Sequence, residues 1–190
     1  MNFTQSRAVS FPIVREISEY IQLLWVHHRG IHVPQLLEEA PIYLKEATMN
    51  AMFGYHLRQH PIMKKCHVDL IRQMATEMQL LVFFPNNHIT YQGDIDHCMY
   101  FIHEGVVDVL CRDSLQVEVV VKTLIAGDSF GLIQCLHPRK GQKFTYKVRQ
   151  HAIINVLQRE KWIHKLVFFP ASKSILDECL AAADRGTEFD

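Results

Sequence analysis

Four histidines, one serine and a basic run are the side chains whose types and spacing could do chemistry. His28 and His32, and again His56 and His60, stand four residues apart, the step that puts two metal ligands on one helical face. Gly30 interrupts the first pair and Pro61 follows the second; neither carries the adjacent glutamate of H-E-x-x-H, and spacing marks no third ligand. Solvated or half-buried histidines are expected, and no metal. Gly127-Asp128-Ser129-Phe130-Gly131 satisfies G-x-S-x-G, the turn that presents a nucleophilic serine at the end of a parallel strand. That chemistry needs a base and an acid downstream. His137, His151 and His164 follow, but spacing pairs none of them with Ser129. A small serine hydrolase using Ser129 is the remote alternative, and a turn serine the expectation. Arg139, Lys140, Lys143, Lys147 and Arg149 crowd residues 137–151, which hold no acid and so would favour an anion.

Composition narrows the field. The 190 residues carry 20 Lys+Arg against 20 Asp+Glu and are 48% hydrophobic, enough for one packed domain with an appendage. Zero formal net charge removes the electrostatic footprint of bulk nucleic-acid binding. No apolar run approaches the ~18 residues of a membrane span, so no membrane insertion is expected of this chain. Residues 1–7 lack a signal-peptide pattern. Five scattered cysteines without a C-x-x-C pair suit a reducing compartment.

The elements that must position these residues change character near residue 80. Ile13, Ile17, Tyr20 and Leu24 form one stripe at helical steps, with Ser10 as cap, Pro12 in the first turn and Gly30 as stop. Helices are expected at 34–39, 41–53, 55–59 and 67–77, the last rich in Val68, Ile71, Met74, Ala75 and Met78. Short strands punctuated by Gly and Asp follow, at 80–84, 88–91, 98–102, 106–110, 117–124, 144–148 and 152–157. Seven or eight such strands predict an antiparallel sandwich or barrel, and residues 159–167 and 171–183 return to helix. The fold class is therefore α+β. The expected organisation is a helical region over 1–65, a β-roll with flanking helices over 66–184, and a tail over 185–190.

Gly93-Asp94, Met99-Tyr100-Phe101-Ile102-x-x-Gly105-x-Val107-x-Val109, Leu124-x-x-Gly127-Asp128-x-Phe130-Gly131 and the closing helix pair resemble a cyclic nucleotide-binding domain. Pro12-x-x-x-Arg15, Tyr20, Leu24-Trp25, Gly30, Leu36-Leu37, Pro41-x-x-Leu44-Lys45 and His60-Pro61-Ile62-Met63 resemble the C-linker of HCN, CNG and KCNH-type cation channels. The resemblance covers roughly residues 11–183. It implies a β-roll or jelly roll behind a helical C-linker, closed by C-terminal helices, on the cytoplasmic side of a membrane. The implied partners are the pore domain of a parent channel and neighbouring subunits. The first C-linker helix has no counterpart in residues 1–10, so a monomer or weak oligomer is expected of this chain.

In that family a cyclic nucleotide sits against a short loop-helix, with a motif near F-G-E-[IL]…R-[TS]-A. A cyclic phosphate wants a guanidinium fork plus backbone N–H groups, and a ribose hydroxyl wants a carboxylate. Here the resemblance places the pocket at Phe130, Gly131, Leu132, Ile133, Phe144, Thr145 and Tyr146, with Ala183 near the position of a further arginine of some channels. Leu132 stands where the glutamate stands and Phe144 where the arginine stands. Charged hydrogen bonds contribute roughly 1.5–3 kcal/mol each, so losing two lowers affinity by ~10²–10⁴. On a period-two strand Phe144 and Tyr146 share one face and Lys143, Thr145 and Lys147 the other, which makes the lysines a solvated face rather than replacements. Leu132, Phe144 and Tyr146 are expected beside an open cavity. Phe189, between Glu188 and Asp190, could plug it as KCNH-type tails do; a loose terminus is the plainer reading.

The expected function is a non-catalytic gating module with a degenerate nucleotide site and no bound cofactor. The alternative is a working sensor of cAMP, cGMP or another small ligand.

Overall fold

The computed structural model describes residues 12–13, 15, 17–19, 21–22, 40–112, 117–137 and 139–185. The chain divides into two compact units, Met1–Lys45 and Glu46–Asp190. In the first, the described residues between 12 and 22 are helical, and Arg15 faces Glu19 at 3.5 Å. The helix expected at 34–39 lies outside the described residues.

Helix α1 (Ile42–Gln59) runs unbroken through Gly54, where a break between two helices was expected. Arg58 Nη1 donates to Asn50 Oδ1 at 3.0 Å across the glycine, and a Cβ there would lie 2.4 Å from that oxygen. The missing side chain thus makes room for a bridge that staples the turn. Met49, Phe53, His56 and Leu57 form the buried stripe, at helical steps of four, three and one. The helix stops at Pro61, and the His60 Nδ1 accepts from the backbone N–H groups of Ile62 and Met63 at 3.2 Å each. Burial lowers the His60 pKa to about 4, so this acceptor stays neutral. A 3-10 turn (Met63–Lys65) leads to α2 (Val68–Ala75), which buries Leu70, Ile71, Met74 and Ala75.

Among the described residues eight strands follow: β1 (Gln79–Phe83), β2 (His88–Thr90), β3 (Cys98–Glu104), β4 (Val106–Arg112), β5 (Glu118–Ile125), β6 (Ser129–Phe130), β7 (Thr145–Val148) and β8 (Ala152–Gln158). They form two four-stranded sheets, ordered β1-β8-β3-β6 and β2-β7-β4-β5, with every pairing antiparallel. Alternate residues of both sheets share one core, among them Tyr100 and Ile102 of β3, Val107 and Val109 of β4, and Ile154 and Val156 of β8. The two-residue β6 was not legible as a strand, because two residues carry no alternation. Between β6 and β7 sits the short α3 (Leu132–Leu136), all of it buried.

After β8 the chain turns into α4 (Arg159–Trp162), a 3-10 segment (Ile163–Phe168) and α5 (Pro170–Asp184). Trp162 is fully buried and anchors this corner. The Ser172 hydroxyl accepts from the His67 N–H at 2.9 Å, and Lys165 Nζ meets Glu77 at 2.7 Å, tying the closing helices to α2. A cavity of about 270 Å³ lies between Leu136, Leu166, Leu176 and Leu180, and none of the residues predicted for a nucleotide lines it.

Candidate functional site

The turn after β5 builds the site. Asp128 Oδ2 accepts from the Ile125 N–H at 2.8 Å, and Gly127 adopts φ +97°. Gly127 N donates to Ile102 O and Ile102 N to Asp128 O, both at 2.9 Å, which clamps the turn to β3. β6 then delivers Phe130 inward and Ser129 opposite Phe101. Gly131 follows with φ +88°, and a Cβ on it would lie 2.6 Å from Cys98 O. This is a left-handed corner pressed on backbone, and it needs glycine. It starts α3, so Leu132 and Ile133 come next, at 2% and 5% exposure.

The facing sheet supplies β7. Tyr146 and Val148 point into the core, and Phe144, half-buried, packs against the same cluster. Phe130 and Tyr146 stack with centroids 3.8 Å apart and planes 10° apart, and Tyr100 extends the stack at 4.7 Å from Phe130. The Tyr100 hydroxyl donates to Asp96 Oδ2 at 2.5 Å. Burial first, and then that carboxylate, hold the phenol pKa well above the usual range. The three rings bridge the two sheets.

Two expectations change here. Leu132 and Tyr146 were expected beside an open cavity; both are buried, Tyr146 at 3% exposure, because the ring stack packs between the sheets. Thr145 was expected at the pocket, on the strand face it shares with Lys143 and Lys147, and that basic face was expected to be solvated. Thr145 is 2% exposed, since its hydroxyl accepts from the Gln92 N–H at 3.0 Å and that loop covers it. Lys143 is exposed, as expected, with its ammonium 5.2 Å from the Phe144 ring centroid. Arg149 is engaged on the outer surface, with its guanidinium 2.6 Å from Asp108 and 3.1 Å from Thr123.

The structure thus joins Phe130, Tyr146 and Phe144 in one core and strings Gly131, Leu132 and Ile133 along the start of α3. Ala183 is half-buried near the end of α5. Its neighbour Asp184 meets Lys140 at 3.1 Å, which brings that end of the helix beside the loop joining α3 to β7. Residues 186–190, including Phe189, lie outside the described residues. Ser129 is half-buried on an antiparallel strand rather than at a strand-to-helix turn of a parallel sheet. Tyr100 is the site residue that the sequence reading passed over; its position two before Ile102 on one strand face was the available signal. Among the described residues no three His, Cys, Asp or Glu side chains cluster to hold a metal.

The family model described as "Cyclic nucleotide-binding domain" matches residues 80–166. Over that stretch, just under half of the chain, the sequence is similar to a cyclic nucleotide-binding domain. The stretch starts with β1 and ends in the 3-10 segment, so it contains every predicted pocket residue except Ala183. The helices outside it are covered by longer likenesses. The bovine cyclic nucleotide-gated channel alpha-2 is 24% identical over 183 residues, spanning 93% of this chain and 27% of the relative. The human cyclic nucleotide-gated channel alpha-3 is 25% identical over 182 residues, spanning 93% and 26%. The chicken cone photoreceptor subunit alpha of such a channel is 25% identical over 178 residues, spanning 90% and 24%. The chain spans about a quarter of the length of the curated relatives it matches. Among the described residues no helix is long and apolar enough to cross a membrane.

Proposed function

We propose that this chain is the gating module of a tetrameric cation channel, and that its nucleotide position does not bind cAMP or cGMP in the ordinary way. On this reading residues 1–65 act as a C-linker that meets the pore domain and neighbouring subunits on the cytoplasmic side. Residues 66–184 form the roll whose closing helix α5 shifts relative to it. The work is mechanical, through two arrangements of packed helices, and no catalytic step is involved.

One observation carries the reading. The positions where the resembled motif has glutamate, arginine and alanine hold Leu132, Phe144 and Tyr146, with Leu132 buried and the Tyr146 ring stacked on Phe130. A cyclic phosphate brought there finds neither guanidinium nor carboxylate, and the space of the small alanine is taken by a ring. The second reading, a working cyclic-nucleotide sensor, draws on the coverage of the channel relatives, 93% of the chain for alpha-2.

The test is a chimaera in which this chain replaces the matching segment of a cyclic nucleotide-gated channel alpha-2 subunit. The expected result is surface-expressed channels whose open probability is unchanged by saturating cGMP or cAMP. Steep activation by either nucleotide would contradict the reading, and so would channels that reach the surface but never open.

A further inference from the structure

The pair His56–His103 is absorbed neither by the ring stack nor by the proposed gating role. His56 lies on the last turn of α1 and His103 near the end of β3. His56 Nε2 and His103 Nδ1 approach to 3.3 Å, with ring centroids 5.4 Å apart and planes at 78°. At that distance one neutral imidazole can donate its N–H to the other, and each contacting nitrogen offers a lone pair to a metal when its ring takes the other tautomer. A tetrahedral zinc ion with Zn–N bonds of about 2.0–2.1 Å holds two ligand nitrogens about 3.3–3.4 Å apart. The observed separation equals that of two ligands on one ion as well as that of the hydrogen bond, and inclined ring planes suit two imidazoles on different corners of a tetrahedron.

We infer that His56 and His103 form an open two-imidazole site for a divalent late transition-metal ion, Zn²⁺ in the first instance, that ties α1 to β3. His103 is solvent-exposed, which gives the ion an entry path and leaves the remaining positions to water. His60, one turn on, uses its Nδ1 to accept from the N–H groups of Ile62 and Met63. The ring of Phe101 lies 6.3 Å from His56 and 6.2 Å from His60 and forms the apolar floor. Imidazole ligation suits zinc, copper and nickel better than magnesium or calcium. Burial pushes the thiols of Cys98 and Cys135 up to about 12, so they remain protonated and compete poorly for the ion.

The experiment titrates the whole chain with ZnCl₂ by calorimetry and follows its thermal unfolding, beside His103→Gln, His56→Gln and, as control, His88→Gln on β2. One ion per chain is expected to bind saturably in the micromolar range and to raise the unfolding temperature. Losing either ligand is expected to weaken binding by about tenfold or more, at least the cost of disturbing a supporting group, with His88→Gln unchanged. Because His103 is exposed, His103→Gln keeps the fold and isolates the ligand effect. Addition of Co²⁺ should give visible d–d absorption that His103→Gln abolishes. Absence of saturable uptake by the natural chain, or zinc affinity unchanged in His103→Gln, overturns the inference.

Discussion

Gly105→Ala is expected to cost about 3–5 kcal/mol and to lower the unfolding temperature by ~10 °C, through a left-handed conformation and a backbone clash acting together. Gly105 joins β3 to β4 with φ +103°. A methyl group there would lie 2.3 Å from His151 O and 2.6 Å from Ala152 Cα. Both obstacles are the entrance to β8, the strand that pairs with β1 and β3, so neither can step aside without moving a central strand. Gly93 supplies the control. Its φ is +91°, yet nothing lies within 4 Å of an added Cβ. Gly93→Ala should therefore show only the conformational part, about 1–2 kcal/mol. Thermal unfolding of the two variants separates the parts, and equal losses would show that close approach to β8 is not what selects glycine at 105.

Leu132→Glu combined with Phe144→Arg is expected to tighten cAMP binding by ~10² or more, because it returns a carboxylate for the ribose and a guanidinium for the phosphate. Each single change should give less. Their stabilities should also differ. Phe144 is half-buried at the edge of the core, where an arginine stem can lie along apolar surface and reach water. Leu132 is 2% exposed, so a lone glutamate there is expected to cost several kcal/mol, part of which the new arginine recovers by pairing with it. Fluorescence titration of folded variants is the measurement. A folded double variant that binds no better than the natural sequence would contradict simple loss of two ligand groups. The obstruction would then lie in the Phe130–Tyr146 stack, and adding Tyr146→Ala should relieve it.

Much of the fold is legible because its punctuation is strong. Gly93-Asp94, Gly105 and Gly127-Asp128 mark turns between alternating runs, and the observed strands fall within a few residues of those runs. Where the reading failed, packing had overruled a local signal. Gly54 looks like a helix end until Asn50 and Arg58 join hands across it. Thr145 shares a strand face with two lysines that looks solvated until the loop at Gln92 covers its hydroxyl. Leu132 and Tyr146 look like the walls of an empty pocket, because a sequence shows what has been lost from a motif and not what has moved into the space. The His56–His103 approach joins residues 47 positions apart, from a helix and a strand, and no spacing rule reaches that far.

Titration of the purified chain with fluorescent cAMP and with fluorescent cGMP tests the central claim most directly. The account predicts no saturable signal from either nucleotide in the micromolar range. Saturable micromolar binding of one of them, displaced by its unlabelled form, would contradict it.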